Sequence, residues 1–491
     1  MKNLIACLFL LNVLLPSLKS QKDADVLKAY HTISSHHIQE YVREMVKPEY
    51  KGRLAGSPEY MDIARWAADL LEEWGIQPAG DDGSFFQYFD RPWCDVKGYG
   101  HVKLFRENEE RSLIVKEEYY PGANPDNGTV RAQLVFAGHG ITFPEMGYDD
   151  YEGLDVQGKI VLIAGDVPYK GKDADTAAMW TFYNSHRYKY GNAQERGAAG
   201  VFLVDMLASP GTPYFEKFYY ASVHKDVADQ IFEKEGKNYD AVIAEISSEM
   251  KPFSFETGYE AEIYTDVECF DSGLTANVIG YIEGNDPELK HEHIIIGAHL
   301  DGQGYLGFLL PGALDNASGV ADVLAAVKAL AQMKGAMKRS VVIILFGGEE
   351  CGLLGSLHYV DNPWLPLENI TLMINLDMVG NGTGLGVWGG KSYPELLKHF
   401  EKNNNSYVHR PFRSTENRPV RGRPRTDGLV FLMRGIPTVH FGITDREFPL
   451  YYHSHKDTDD LLSWETMEDA AKLLFLSVFS IANDTTVVLE K

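Results

Sequence analysis

The stretch that decides the fold is VVIILFGGEECGLLGS (Val341–Ser356). Its opening run, Val341 to Ile344, has the texture of a strand buried on both faces. Two glycines follow, and then two adjacent acids, Glu349 and Glu350. In a continuing strand, neighbouring side chains point to opposite faces. Two adjacent acids therefore serve one site only if the chain leaves the strand at that point. Gly347 and Gly348 make the departure easy, and Gly352 allows the next turn.

Working outward, similar apolar runs recur in TANVIGYIEG (Thr275–Gly284), HIIIGAHLDG (His293–Gly302), LMINLDMVG (Leu372–Gly380) and IPTVHFG (Ile436–Gly442). Helical segments separate them. PGALDNASGVADVLAAVKAL (Pro311–Leu330) carries Val320, Val323, Leu324, Val327 and Leu330 on one face. Near-continuous apolar strands alternating with helices predict an α/β domain whose mixed, mostly parallel sheet is sandwiched by helices. Upstream, Ser57 can cap a helix that Pro58 begins and Gly75 stops. Its expected inward face is Ile63, Trp66, Ala67, Leu70, Leu71 and Trp74. Between them, residues 121–260 change texture. YDDYEGLDVQGKIVLIAGD (Tyr148–Asp166) and NAQERGAAGVFLVD (Asn192–Asp205) alternate turns and strands without a cluster of ligand-type residues. That stretch reads as an inserted domain, leaving 21–120 and 261–491 as one discontinuous domain.

In open α/β sheets, sites lie outside the carboxyl ends of the strands. There the chain places His299 and Asp301, then Asp315 before a helix, Glu349 and Glu350, Asp377, and His453 in LYYHSHKDTDD (Leu450–Asp460). Any one of these alone reads as a structural histidine or a helix cap. Buried carboxylates are costly unless paired or metal-bound, so such residues at successive strand ends need a shared partner. Two histidines, two aspartates and a glutamate suit zinc or a similar divalent ion. Five exceed the needs of one catalytic zinc and match two ions if a carboxylate bridges. HExxH is absent, which excludes that helix-borne zinc motif.

In GAHLDG, GALDNASGV, GGEECGLLGS, NLDMVG and HSHKDT, in that order, the chain resembles the secreted zinc-dependent exopeptidases that include bacterial leucyl aminopeptidase and glutamate carboxypeptidase. GRLAGSPEY resembles their N-terminal part. DDYEGLDVQGKIVLI and ERGAAGVFLVD resemble the protease-associated domain often inserted in such enzymes. The resemblance implies two Zn2+ per chain, with Asp315 bridging, His299 and Asp377 completing one site, and Glu350 and His453 the other. It implies Glu349 as general base, Asp301 orienting the His299 imidazole, and Tyr452 near the developing oxyanion. It assigns the ligand in HSH to His453, with Asp457 and Thr458 closing the motif and His455 at a variable position. His291 and His293 precede their strand and are expected at the surface. The expected activity is hydrolysis of peptide bonds, most readily release of N-terminal amino acids. Alternatives are a carboxypeptidase or dipeptidase of the same family, a glutaminyl cyclase-like transferase, which works with one zinc, and a receptor-like protein without catalysis.

The remaining features bound the setting. Residues 1–20 have a basic Lys2, an apolar stretch from Leu4 to Leu15 and a plausible cut before Gln21, the form of a secretory signal peptide. This predicts a secreted or periplasmic protein with no membrane span in the mature chain. A net charge of −24 argues against a nucleic-acid partner. Past residue 20 the cysteines are Cys94, Cys269 and Cys351. The first two are able to pair in an oxidising compartment, and the third reads as a buried filler. Six arginines between Arg410 and Arg425 read as a surface loop paired with acids elsewhere, or as a loop near the site that favours acidic substrates.

Overall fold

The computed structural model describes residues 23–420 and 423–487. The expected signal peptide lies outside the described residues. Thirteen strands position the site: β1 (Phe86–Arg106), β2 (Tyr119–Pro121), β3 (Gly128–Ala137), β4 (Ile160–Ala164), β5 (Gly200–Val204), β6 (Tyr219–Val223), β7 (Ser254–Ile282), β8 (His293–His299), β9 (Ser340–Phe346), β10 (Ile370–Asn375), β11 (Gly384–Trp388), β12 (Phe412–Ser414) and β13 (Thr438–Thr444). Twelve of them hydrogen-bond in the order β12-β11-β13-β10-β8-β9-β7-β3-β4-β5-β6-β2, and β1 pairs with β7 off this path.

The centre of the C-terminal half is parallel: β8 pairs in parallel with both β9 and β10, and β10 with β13. Strand β7 joins β9 antiparallel, and β11 joins β13 antiparallel. All residues of β8 and β9 are buried, because helices cover both faces. Ile294, Ile296, Val341, Ile343 and Leu345 pack with α1 (Ser35–Met45), α2 (Pro58–Glu73), α4 (Ser318–Ala331) and α7 (Trp464–Asn483). The alternate residues Ile295, Val342, Ile344 and Phe346 pack with α5 (Leu354–Asp361) and α6 (Asp427–Met433). The period of two thus divides one apolar run between two cores. In α2 the Ser57 hydroxyl accepts from the Tyr60 N–H and Pro58 stands in the first turn. Its inward stripe is centred on Tyr60, Ile63, Ala64, Ala67 and Leu71, with Trp66, Leu70 and Trp74 only partly buried at its border.

The other half is a second parallel array, β3-β4-β5-β6, flanked by helices that include α3 (His186–Glu195). Strand β7 belongs to both halves. Its first part pairs with β3, its last with β9, and the length between with β1. In that ribbon Cys94 stands directly opposite Cys269, and the two form a disulfide. Cys351 is a buried free thiol.

One expectation is corrected here. His293 is not a surface residue: it is the first residue of β8, 7% exposed, with Nδ1 3.3 Å from the Asn369 carbonyl. The strand begins one residue before the apolar run does, and pairing with Ser340 and Ile370 carries the imidazole inward.

Candidate metal centre

Four strands deliver the site at one edge of the sheet. Strand β8 ends on His299, β9 ends three residues before Glu349, and β10 ends two residues before Asp377. Asp315 precedes α4, and His453 lies in the loop after β13. Gly348 takes φ +72°, a left-handed turn that ends the strand direction and places both glutamates beyond it.

The side chains named from the sequence come together. Asp315 is 4% exposed, and its two carboxylate oxygens face different histidines. Oδ1 lies 3.1 Å from His299 Nε2, and Oδ2 lies 3.4 Å from His453 Nε2. Asp377 Oδ1 is 3.5 Å from His299 Nε2, and Glu350 Oε2 is 3.0 Å from His453 Nε2. His299, Asp315 and Asp377 therefore form one compact group, Asp315, Glu350 and His453 a second, and His299, Glu349 and Glu350 a third that overlaps both. Glu350 is buried and Glu349 half-buried. Tyr452 stacks on the His453 ring, centroids 3.5 Å apart, and stays 39% exposed.

This donor set fits divalent cations. His299 Nε2, His453 Nε2, Glu350 Oε1 and Asp377 Oδ1 are all buried without a hydrogen-bond partner, a costly state for polar atoms unless a ligand satisfies them. The electrostatics agree. Burial works against a charged His299, yet Asp301, Asp315 and Asp377 outweigh it and hold its pKa well above the ordinary range. At His453 burial again opposes charge, but Glu350 and Asp315 raise its pKa to about 10. Both shifts trace to the carboxylates crowded around the two rings. Burial pushes Glu350 up, and burial with Glu350, Asp427 and Asp377 nearby pushes Glu349 well up.

A second layer of residues supports these side chains. Asp301 faces His299 Nδ1 with its backbone carbonyl at 3.2 Å, while its carboxylate lies farther off, at 3.7 Å. That carboxylate accepts instead from the Glu349 N–H at 3.0 Å and the Glu350 N–H at 3.2 Å. It therefore holds the acidic doublet itself. Asp457 accepts from the Leu314 and Asp315 N–H groups at 2.8 and 3.0 Å, fixing Asp315 from behind. Asn316 ties the same loop to the Asp377 loop, donating to the Leu376 carbonyl and accepting from the Met378 N–H. Arg53, fully buried, donates to the carbonyls of Met45, Leu300, Pro311 and Gly312. Its place inside GRLAGSPEY was the only signal available for it. His455 points away from the cluster, to the hydroxyl of Tyr120.

The arginine island divides. Arg410 pairs with Asp469 at 2.7 Å and Arg413 with Asp445 at 2.6 Å. Arg423 instead reaches the Gly352 carbonyl at 3.3 Å, beside the doublet. Arg187 approaches the same turn from α3, donating to the Glu350 carbonyl at 3.4 Å. A Cβ at Gly352, where φ is +112°, would stand 2.3 Å from Arg423 Nη2 and 2.8 Å from Arg187 Nη1, so glycine is what lets both guanidinium groups close in. Neither arginine forms an ion pair among the described residues.

Known proteins share this arrangement of sequence and fold. The profile of peptidase family M28 matches residues 277–478, and that of the PA domain matches residues 130–237. Aminopeptidase YwaD of Bacillus subtilis is 27% identical over 231 residues, 45% of this chain and 48% of its own length, so the match spans about half of that relative. The fold is shared with the aminopeptidase from Aneurinibacillus sp. strain AM-1 (TM-score 0.62, 22% identity, 95% of this chain and 98% of that one). It is shared equally with BSAP, a zinc aminopeptidase from Bacillus subtilis (TM-score 0.62, 19% identity, 94% and 98%). On the two profile matches, residues 277–478 are a peptidase family M28 region and residues 130–237 a PA domain.

Proposed function

We propose that the protein is a two-zinc exopeptidase that releases N-terminal amino acids from peptides. The observation that carries this reading is the divided carboxylate of Asp315, one oxygen toward His299 and the other toward His453. His299 and Asp377 would hold one ion, Glu350 and His453 the other, and Asp315 both. When bound, such ions polarise the scissile carbonyl and acidify the attacking water.

The chain's own groups supply the rest. Glu349 is half-buried beside the ligands, and its raised pKa suits a group that takes a proton from water and returns it to the leaving amine. Glu350, its buried neighbour, is left for a ligand role. Asp301 holds both by their N–H groups, so one support fixes the distance between base and ligand. Tyr452 presents its ring from the His453 side and is placed to donate to a developing oxyanion. The carboxylates left around the site offer a free substrate amine an anionic surface. The inserted unit is taken as 121–260; β7 pairs with β3 as far as Thr265 and with β9 from Val278, so it runs on from that unit into the peptidase sheet. Among the described residues no helix is long and apolar enough to cross a membrane, and residues 1–20 are taken to direct export.

The test is a panel of aminoacyl-nitroanilides and N-acetylated peptides, with and without chelator. Chelator-sensitive cleavage that requires a free amine supports the reading, and cleavage of N-blocked peptides from the carboxyl end defeats it. Glu349→Gln is expected to abolish turnover while keeping both ions. A second reading, a carboxypeptidase or dipeptidase acting on acidic termini, is favoured by Arg187 and Arg423 converging on Gly352 without carboxylate partners. The same panel decides between them.

A further inference from the structure

We infer that the PA domain is a working part of the metal centre, holding the Glu350–His453 side through a strap at residues 206–212, and that Tyr120 is a positioning residue for that side. The inference rests on the two-ion reading above.

His453 is a non-glycine residue at φ +51°, a left-handed conformation that persists only where its surroundings over-determine it. Two contacts from outside its loop bear on it, one at His453 itself and one two residues on at His455. The Ala208 N–H, in the strap after β5, donates to the His453 carbonyl at 3.0 Å. The Tyr120 hydroxyl, from β2, lies 2.5 Å from His455 Nδ1 and accepts from the His455 N–H at 3.3 Å. Tyr120 is 2% exposed, with its ring edge-on to Phe308 and to His455. Tyr120 stands at the border of the inserted unit, and its strand is held there by pairing with β6, inside the region that matches the PA domain.

The strap is itself fastened. Ser222 donates to the Leu207 carbonyl at 3.1 Å, and Asn124 donates to the carbonyls of Pro210 and Thr212 at 2.8 and 2.6 Å. Arg91 spans the junction: Nη2 reaches the Pro210 carbonyl, while Nη1 reaches the Ala55 carbonyl and Cys351 Sγ. Arg187 of the PA domain adds its bond to the Glu350 carbonyl. The other side of the centre is held differently. His299 stands on the strand end of β8 with Asp301 at its Nδ1, and the loop carrying Asp377 is tied by Asn316. One half of the centre is therefore set by the peptidase sheet, and the other, beside the Asp301 bond to the Glu350 N–H, by a joint between two domains. The joint is made of hydrogen bonds to backbone, to the His455 ring and to the Cys351 thiol, none of them to a donor atom of the centre, so weakening it shifts a ligand without removing any donor atom.

The experiment titrates the metal-free, full-length mature chain with Zn2+ or Co2+ and compares wild type with Tyr120→Phe. Loss of a group that orients a ligand lowers metal affinity by roughly 10- to 100-fold. The expected result is about a tenfold loss for one of two ions, the other unchanged, with the melting temperature of the metal-free chain also unchanged. Site backgrounds identify the affected ion. In Asp377→Asn, which leaves the Glu350–His453 side, Tyr120→Phe weakens the remaining ion; in His453→Ala it does not. His455→Ala removes the other partner of the same contact and serves as the second variant should Tyr120→Phe fold poorly. Equal weakening of both ions, or unchanged affinity in both variants, overturns the inference while leaving the two-ion reading intact. A wild-type chain that binds fewer than two ions overturns both.

Discussion

Asp301→Asn separates two jobs that the sequence alone runs together. If the carboxylate orients the His299 imidazole, the substitution should disturb the His299 side of the centre. The structure places its work elsewhere. Asp301 is fully buried, and its two carboxylate oxygens accept the N–H groups of Glu349 and Glu350, while the bond at His299 Nδ1 comes from the Asp301 main chain. Asparagine keeps the main-chain carbonyl and one side-chain oxygen. It must turn an amide N–H2 toward one of the two glutamate N–H groups, so one bond to a charged acceptor is lost and a buried donor is left without a partner. Bonds to charged groups contribute about 1.5–3 kcal/mol each. Because 1.4 kcal/mol is a factor of ten, the expected loss in kcat/KM is roughly 10- to 100-fold if that energy appears in the reaction as misplacement of Glu349 and Glu350.

The assay is kcat/KM on an aminoacyl-nitroanilide, run beside metal analysis. The ion on the His299–Asp377 side should remain, as read in a His453→Ala background, and the loss should fall mainly on kcat. Full activity in Asp301→Asn would refute this account. So would loss of the His299-side ion, which would return Asp301 to the role of imidazole orienter.

Three further outcomes follow from other parts of the molecule. Asp322 sits inside α4 with both carboxylate oxygens buried and unpartnered, and burial alone raises its pKa well above the ordinary carboxylate value. The folded chain then keeps a proton that the unfolded chain releases, so stability falls as pH rises from the unfolded pKa toward the folded one, by about 1.4 kcal/mol per pH unit. Asp322→Asn should therefore gain on wild type in melting temperature between pH 5 and 7, and parallel pH curves would count against the account. Thiol titration of the denatured, unreduced chain starting at Gln21 should find one thiol, Cys351; three would mean that Cys94 and Cys269 are unpaired. Arg187→Ala should shift preference among substrates with acidic and neutral termini if that guanidinium meets substrate, and should leave the ranking unaltered if it serves only the Glu350 carbonyl.

What the sequence made legible follows from two short-range signals, apolar period and ligand chemistry. The runs at His293–Gly302, Val341–Phe346 and Leu372–Gly380 point to buried parallel strands because short, near-continuous apolar runs bounded by turn residues suit a sheet covered on both faces. A parallel sheet then brings their carboxyl ends to one edge, so residues as distant as His299 and Asp377 meet without any long-range signal. Side-chain direction within a turn carries no such period. That is why the Asp301 carboxylate could be placed near the centre but not on the N–H groups of Glu349 and Glu350. Cross-strand register over 175 residues is likewise absent from spacing, so the pairing of Cys94 with Cys269 was open until β1 and β7 were laid side by side. Arg53 and Asp322 were harder still, since burial of a charged residue is decided by what closes over it. The same limit hid the joint at His453. The inserted stretch has no cluster of ligand-type residues, and its reach toward the centre runs through the main-chain N–H of Ala208, with the hydroxyl of Tyr120 at its border. A main-chain donor is present at nearly every residue, so only the fold can show which one is used.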